Sequence, residues 1–183
     1  MSACPLLILD RDGVINEESN TFIKEPQEWH PIPGSLKAIA SAHREGFRIV
    51  VVTNQSGLGR GVLDIDALNR IHKEMHRQVI TAGGVIDAIF FCPHTPEDRC
   101  TCRKPNPGLY LELAKRLGVS LTGVPAIGDR ASDIEAAKRA GAAPRLVKTG
   151  RGCTTLASDF SLDKVLVYPD LAAAVRELVG ESP

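Results

Sequence analysis

The sequence has few aromatic residues, no excess of either charge and no long apolar run. Aromatic side chains make up 4% of its 183 residues, and 22 Lys and Arg balance 22 Asp and Glu. Because nucleic acids and anionic membranes select a basic surface, this balance argues against both as partners. Apolar runs such as 49–52 are strand-sized, whereas a bilayer span needs roughly 20 residues. We expect a cytoplasmic protein, because the start MSACPLLILD has no basic segment and does not resemble a signal peptide.

Cysteine is also scarce, and its distribution indicates a metal site rather than disulfides. Three of the five cysteines, Cys92, Cys100 and Cys102, lie within eleven residues. Cysteines that staple a secreted scaffold are spread along the chain, whereas clustered ones in a reducing compartment are typical of metal binding. Cys4 and Cys153 have no partner in the sequence, and we expect them to be ordinary reduced thiols.

Short apolar runs alternate with helical patterns along the whole chain, which is typical of βαβ units. The predicted strands are 6–10, 48–53, 85–91, 124–129, 145–148 and 164–168. The predicted helices cover 34–44, 68–79, 109–117 and 134–140. We therefore expect one domain, 1–183, with a three-layer, doubly wound, mostly parallel α/β fold. In such folds ligands bind where the strands end at their carboxyl edge.

Two carboxylates follow the first predicted strand, in the segment Asp10-Arg11-Asp12-Gly13. If the chain turns at Gly13, both carboxylates can point to one place above the sheet. Their mutual repulsion calls for a cation, and Mg²⁺ takes carboxylate oxygens together with substrate phosphate and water. Because Asp and Gly also favour turns, the same residues are compatible with an ordinary solvated turn.

Further polar groups follow the other predicted strands at the same edge. The second strand ends in the run 53–56, Thr-Asn-Gln-Ser, whose hydroxyl and amide groups can hold a phosphate. Lys104 precedes a helix that Pro107 can start. The fourth strand ends at Asp129, and Asp133 follows in a helical first turn, where a carboxylate is also favoured by the helix dipole. Each residue alone is compatible with solvated surface; their common order along one edge predicts a site.

In this order, these segments resemble the four motifs of the haloacid dehalogenase superfamily of phosphohydrolases, over nearly the whole chain. The resemblance implies a Mg²⁺-dependent phosphatase with an aspartyl-phosphate intermediate. Asp10 is then the nucleophile, and Asp12 is the general acid and later the base. Thr53, Asn54 and Lys104 bind the transferring phosphoryl group. The implied Mg²⁺ ligands are Asp10, the main-chain carbonyl of Asp12, and Asp129, with Asp133 behind them. The segments between motifs are too short for a cap domain, so we expect an open site.

The loop 92–107 supplies three thiolates and one imidazole, from Cys92, His94, Cys100 and Cys102. This is the ligand set of a closed tetrahedral zinc site, which shapes a loop rather than performing chemistry. We expect the zinc to hold Arg103 and Lys104 at the rim of the active site. The alternative is a group of buried free thiols beside an unrelated histidine.

Within the superfamily, the segments 10–16, 53–57 and 92–105 are similar to those of phosphatases that release the 7-phosphate of D-glycero-D-manno-heptose 1,7-bisphosphate for lipopolysaccharide or other surface glycans. Phosphatases of histidinol phosphate share the nucleophile motif and a similar zinc loop, so that substrate stays an alternative. A second phosphate needs its own cations, which Arg11, Arg103 and Arg130 can supply unless they form surface ion pairs. The expected substrate contacts are Arg11, Asn54, Gln55, Ser56, Arg103 and Arg130.

An alternative of another class is a non-catalytic phosphosugar-binding or zinc-dependent interaction module. The presence of both Asp10 and Asp12 disfavours it, since a module without catalysis has no need of either carboxylate. No exposed apolar repeat indicates an oligomer, and we expect a monomer whose partner is a small phosphorylated sugar.

Overall fold

The computed structural model describes residues 5–180, and Cys4 lies outside this range. Its strands are β1 (Leu6–Leu9), β2 (Arg48–Asn54), β3 (Ala88–Cys92), β4 (Pro125–Gly128), β5 (Ala143–Val147) and β6 (Leu166–Tyr168). They form one sheet in the order β3-β2-β1-β4-β5-β6, and all neighbouring strands run parallel. This is the predicted doubly wound α/β architecture, with no second sheet among the described residues.

Seven α-helices connect or flank the strands in the described part of the chain. They are α1 (Ser35–Arg44), α2 (Ser56–Gly59), α3 (Ile65–Thr81), α4 (Gly108–Leu117), α5 (Ala131–Arg139), α6 (Gly152–Leu156) and α7 (Leu171–Val179). Two short 3₁₀ turns lie at Pro26–Glu28 and Pro96–Asp98. Within residues 5–180, none of these helices combines the length and the apolar character needed to cross a bilayer.

Both faces of the sheet are buried, because side chains alternate along each central strand. Leu7 and Leu9 of β1 pack in one core with α1, α3 and α7, whereas Leu6 and Ile8 pack in a second core with α4 and α5. The near-continuous apolar runs that predicted the strands follow from this two-sided burial. The structure therefore has three layers, with helices above and below the sheet.

The element boundaries differ from prediction in a few places, each for a local reason. β3 begins at Ala88, because Asp87 uses both its main-chain N–H and its side chain to bond Ile49 of β2. β6 begins at Leu166, after Lys164 at a positive φ of 58°. Helix α7 was not predicted, although Asp170 caps it by accepting a hydrogen bond from the main chain of Ala173.

Candidate active site

A pocket of about 340 Å³ lies where β1, β2 and β4 end. Its lining includes all the predicted catalytic and substrate-contact residues: Asp10, Arg11, Asp12, Thr53, Asn54, Gln55, Ser56, Arg103, Lys104 and Arg130. The fold brings these residues together from four distant parts of the chain, 10–12, 53–56, 103–104 and 130, as expected for the carboxyl edge of a doubly wound sheet. Asp129 lies fully buried directly after β4.

Lys104 joins two carboxylates at the floor of this pocket. Its Nζ lies 2.9 Å from Oδ1 of Asp10 and 2.7 Å from Oδ1 of Asp133, and it donates to the carbonyl of Val52 at 2.8 Å. Oδ1 of Asp10 is buried without a hydrogen-bond donor of good geometry, so its contact with Lys104 is an ion pair. Burial opposes the charge of Lys104, but the two carboxylates raise its pKa. The lysine is therefore a fixed cation beside the predicted nucleophile.

Burial raises the pKa of Asp10 to about 6, with Lys104 acting in the opposite direction. Asp10 is only 8% exposed, so desolvation of its charged form is large. At neutral pH the carboxylate is the main form, which is the form that a nucleophile requires.

Asp129 has an oxygen that no group in residues 5–180 satisfies. Its Oδ2 accepts a hydrogen bond from the main chain of Arg151 at 2.7 Å, but its buried Oδ1 has no hydrogen-bond donor. Burial, followed by the charges of Asp10 and Asp133, raises the pKa of Asp129 to about 8. A buried carboxylate held in this way is stabilised by a nearby cation.

The acidic cluster fits Mg²⁺. Ligand oxygens of Asp10, Asp129 and Asp133 lie within 4.8 Å of one another. Both oxygens of Asp133 already have partners, since Oδ1 contacts Lys104 and Oδ2 accepts from the main chain of Arg130 at 2.9 Å. Asp10 and Asp129 are therefore the better placed ligands, and oxygen-only donor sets of this kind suit a hard divalent cation.

Three side chains surround the carboxylate of Asp12. The Nη2 of Arg11 donates to both of its oxygens at 2.9 Å, Asn16 donates to Oδ1 at 2.9 Å, and Gln55 donates to Oδ2 at 2.9 Å. Burial opposes ionisation, but Arg11 and the hydrogen bonds lower the pKa of Asp12. We call Arg11, Asn16 and Gln55 the Asp12 cage.

Several predicted substrate contacts use their side chains elsewhere. Arg11, predicted to bind a second phosphate, is 1% exposed and is occupied by Asp12 and Gln55. Asn54 exchanges hydrogen bonds with the main chain of Lys104, donating at 3.1 Å and accepting at 3.1 Å. Gln55 also donates to Oγ1 of Thr53 at 3.0 Å. These side chains contact the predicted catalytic residues Asp12, Thr53 and Lys104, which sequence spacing does not reveal.

Arg103 and Arg130 lie at the rim of the pocket. Arg103 donates to the carbonyl of His94 at 3.2 Å, which ties it to the cysteine loop. Arg130 is half-exposed and forms an ion pair with Glu18, so the surface ion pair named as its alternative is present. Glu18 also pairs with Arg151 at 2.8 Å. Sequence reasoning missed Glu18, which carries no motif and reaches the rim only through the loop after β1.

The cysteine loop forms a compact four-ligand cluster. The Sγ atoms of Cys92, Cys100 and Cys102 lie 3.3–3.6 Å apart, and Nδ1 of His94 lies 3.2 Å from Cys102 and 3.6 Å from Cys92. Two thiolates that both lie 2.3 Å from a tetrahedral zinc would be about 3.8 Å apart, close to the spacing of the three Sγ atoms. The Sγ of Cys100 also accepts a hydrogen bond from the main chain of Arg103 at 3.3 Å. The cluster fits a closed tetrahedral metal site and adjoins Lys104, the predicted catalytic lysine.

The fold and site define a class, the haloacid dehalogenase-type hydrolases, and the HAD-hydrolase-like family model matches residues 101–174. The chain is 51% identical, over 97% of its length and 99% of the relative, to the D-glycero-β-D-manno-heptose-1,7-bisphosphate 7-phosphatase of Bordetella bronchiseptica. Its identity to the enzyme of that name from Pseudomonas putida is 45%, over 95% of this chain and 99% of the relative.

Solved structures agree with this assignment. The B. bronchiseptica phosphatase complexed with magnesium and phosphate superposes with a TM-score of 0.94 at 51% identity, covering 97% of this chain and 99% of that one. The structure of the Burkholderia thailandensis D,D-heptose 1,7-bisphosphate phosphatase superposes with a TM-score of 0.75 at 38% identity, covering 96% of this chain and 98% of that one. The chain belongs to the D-glycero-β-D-manno-heptose-1,7-bisphosphate 7-phosphatase family of haloacid dehalogenase-like hydrolases. It is a phosphoric monoester hydrolase.

Proposed function

We propose that the chain removes the 7-phosphate of D-glycero-D-manno-heptose 1,7-bisphosphate through an aspartyl-phosphate intermediate, with Mg²⁺ as cofactor. The product, heptose 1-phosphate, serves lipopolysaccharide or surface-glycan precursor synthesis. The observation that carries the proposal is the 51% identity over 97% of the chain to a phosphatase named for this reaction. The shared structure, with a TM-score of 0.94, supports a common site geometry.

In this mechanism Asp10 attacks the phosphorus of the 7-phosphate, and the bond between phosphorus and the sugar oxygen breaks. Asp12 gives its proton to the leaving sugar oxygen and later takes a proton from the water that hydrolyses the aspartyl phosphate. A bound phosphate dianion favours the protonated form of Asp12 before the first step. The Asp12 cage stabilises the carboxylate that this step leaves behind.

The other groups around Asp10 stabilise the charge of the transferring phosphoryl group. Lys104 and the hydroxyl of Thr53 supply donors at fixed positions, and such preorganised donors account for much of phosphoryl-transfer catalysis. Asp10, Asp129 and the main-chain carbonyl of Asp12 would hold Mg²⁺, which when bound screens the charges of carboxylate and phosphate. Asp133 keeps Lys104 directed at the nucleophile, since its Oδ1 lies 2.7 Å from Nζ.

The 1-phosphate of the substrate is assigned to Arg103 and Arg130 at the rim. Guanidinium groups bind phosphate oxygens in pairs, and both residues border the pocket. Arg130 pairs with Glu18, so a bound phosphate would compete with that carboxylate for the guanidinium. Ser56 borders the same pocket and is assigned a contact with the substrate.

We infer that the cluster of Cys92, His94, Cys100 and Cys102 binds one structural zinc ion. Four protein ligands leave no open position, so the metal fixes the loop and takes no part in the reaction. Arg103 and Lys104 follow the last ligand, Cys102, directly in the sequence. A metal that fixes the loop would therefore also fix the two residues assigned to phosphate binding. We also infer that the enzyme is cytoplasmic and acts as a monomer. Size-exclusion chromatography with light scattering tests the monomer, and cell fractionation tests the location.

The test of the substrate is the ratio of kcat/KM for heptose 1,7-bisphosphate, in both anomers, to that for histidinol phosphate. We expect the bisphosphate to be preferred at least about tenfold, because a second phosphate gains charge-assisted hydrogen bonds that the competitor lacks. A preference for histidinol phosphate would overturn the substrate while leaving the chemistry intact. Failure to hydrolyse either phosphate would favour the non-catalytic module.

A pair of variants connects this preference to the rim. Arg103→Ala should lose most of the preference for the bisphosphate, whereas Arg77→Ala should keep it. Arg77 is the matched control because it is exposed on α3 and pairs with Glu74 at 2.6 Å. Equal preference in both variants would remove Arg103 from the substrate site.

A further inference from the structure

A buried histidine on α3, His72, contacts Arg11, which is one of the three residues of the Asp12 cage. The Nη1 of Arg11 lies 3.3 Å from Nε2 of His72. The other side of the same guanidinium holds Asp12, through Nη2 at 2.9 Å and Nε at 3.2 Å. His72 therefore reaches the predicted general acid through one intervening side chain, from a helix that has no motif of its own.

The environment of His72 makes it a hydrogen-bond acceptor. It is 8% exposed, and its ring packs edge-on against Phe91 with centroids 6.2 Å apart. Burial, followed by the charge of Arg11, lowers the pKa of His72 to about 3. The ring is neutral at physiological pH, and a neutral imidazole has one nitrogen that accepts. Because a guanidinium can only donate, that nitrogen is Nε2.

We propose that His72 is a positioning residue, which fixes the guanidinium of Arg11 and thereby the carboxylate of Asp12 for proton transfer to the leaving group. The proposal rests on the proposed phosphatase mechanism. Without an acceptor for Nη1, a buried donor of Arg11 would be left unsatisfied, which proteins avoid by moving the side chain. Any such movement changes where Asp12 lies, because the two side chains share a bidentate contact.

The alternative is that His72 only fills the core. It lies between Ile71 and Met75 on the buried face of α3, where a histidine can serve packing alone. The two roles differ in which property of the side chain matters. Packing depends on the volume of the residue at position 72, whereas positioning depends on an acceptor near the place of Nε2.

The choice of leaving group separates an effect on proton transfer from general damage. A sugar alkoxide is a poor leaving group and needs the proton from Asp12, whereas p-nitrophenolate leaves without one. In both reactions Asp10 forms the new bond to phosphorus, and kcat/KM reports steps up to that bond. A change confined to proton delivery therefore lowers kcat/KM for the sugar phosphate alone.

The experiment compares His72→Leu, which removes the acceptor, with His72→Gln, whose amide oxygen can occupy the place of Nε2. The control is His76→Leu, one turn further along the same helix and half-buried. We expect His72→Leu to lose about tenfold or more in kcat/KM for heptose 1,7-bisphosphate, mostly in kcat, and less than about twofold for p-nitrophenyl phosphate. His72→Gln and His76→Leu should remain within about threefold of the parent for both substrates.

Three results would overturn the proposal: full activity of His72→Leu on the sugar phosphate, equal losses on both substrates, or a loss in His72→Gln as large as in His72→Leu. Failure of the proposed function has a different signature, since the unmodified enzyme would then ignore heptose 1,7-bisphosphate while hydrolysing p-nitrophenyl phosphate. In that case any alkyl phosphate that it does hydrolyse, such as histidinol phosphate, takes the place of the sugar substrate in the same comparison.

Discussion

Single side chains in this site are held by several partners at once. Lys104 contacts Asp10, Asp133 and the carbonyl of Val52, and its side chain is 2% exposed. Such buried charges are stable only while each keeps its partners, because an unpaired charge in the interior is costly. The groups to which we assign the chemistry are therefore also those that hold one another in position.

Replacing the nucleophile should stop turnover without unfolding the chain. Asp10→Asn keeps the shape of the side chain but removes the negative oxygen that attacks phosphorus, and we expect phosphate release to fall by more than about 10⁴-fold. Phosphate release is measured together with circular dichroism to confirm the fold. Undiminished turnover in a folded variant would contradict the assignment of Asp10.

His72 should also leave a signature in the pH dependence of stability. Its pKa is about 3 when folded, against an ordinary value of 6.5, so the unfolded chain takes up this proton at a higher pH than the folded one. Stability is lost as the pH falls below 6.5, by about 2 kcal/mol between pH 7 and pH 5.

His72→Gln should lack this contribution to the loss of stability between pH 7 and pH 5. Urea unfolding of the parent protein and of His72→Gln at the two pH values measures the difference. Comparing the two proteins in the same buffer cancels the opposite effect of Asp10 and Asp129, whose pKa values are raised. Equal pH dependence in the two proteins would show that folding does not lower the pKa of His72.

Residues at strand ends could be predicted, but their partners could not. Asp10, Thr53 and Asp129 follow buried runs, and parallel strands bring such positions to one edge. The amide of Asn54 could equally bind phosphate or main chain, and only the fold decides between them. His72 has a core position in the sequence, and its contact with Arg11 depends on how α3 crosses the sheet.

At the scale of elements, the loop 92–107 carries all four proposed zinc ligands. We expect about one tightly held zinc ion per chain, lost in Cys102→Ser with at least about a tenfold fall in kcat, because Arg103 and Lys104 lose their anchor. Metal analysis after removal of Mg²⁺ by a mild chelator measures the content. Cys153→Ser is the control, since Cys153 is exposed and lies outside the cluster. A zinc-free parent protein would exclude the structural zinc site.

The turn between β5 and α6 packs closely against the carboxylate of Asp129. A Cβ at Gly150 would lie 2.2 Å from Oδ2 of Asp129 and 2.5 Å from Cα of Gly13. Gly150→Ala should therefore displace this ligand and raise the Mg²⁺ concentration for half-maximal activity about tenfold or more.

Gly118→Ala is the matched control for Gly150→Ala, because Gly118 has a similar positive φ, +63° against +55°, and open space around it. Both substitutions carry the backbone strain of a positive φ, and only Gly150→Ala adds the clash. Unchanged Mg²⁺ dependence in Gly150→Ala, or an equal shift in Gly118→Ala, would show that the turn does not set the position of Asp129.

Elements could be predicted where burial is two-sided and less well where it is partial. β1 and β2 are apolar throughout because helices cover both faces, so their existence follows from the sequence. Exact ends depend on single contacts, such as that of Asp87 with Ile49, which no periodicity encodes. Helix α7 has the apolar spacing of a helix, with Leu171, Ala174 and Val175 on its buried face. It was not predicted because no functional motif precedes it and the edge strand before it, β6, is mostly exposed.

For the whole molecule, a net charge of zero conceals an uneven distribution. Four carboxylates, those of Asp10, Asp12, Asp129 and Asp133, lie at the ends of β1 and β4. Within residues 5–180, the buried cations that contact them are Lys104 and Arg11. The excess of negative charge suits a divalent cation, and the arginines at the rim suit a phosphate beyond it. This arrangement suits a small anion held through a cation.

The most direct measurement is a ³¹P NMR time course of heptose 1,7-bisphosphate with the purified enzyme and Mg²⁺. We predict that the signal of the 7-phosphate is replaced by that of inorganic phosphate while the 1-phosphate signal persists, and that a chelator stops the reaction. Loss of the 1-phosphate first, or no change in either signal with Mg²⁺ present, would contradict the account.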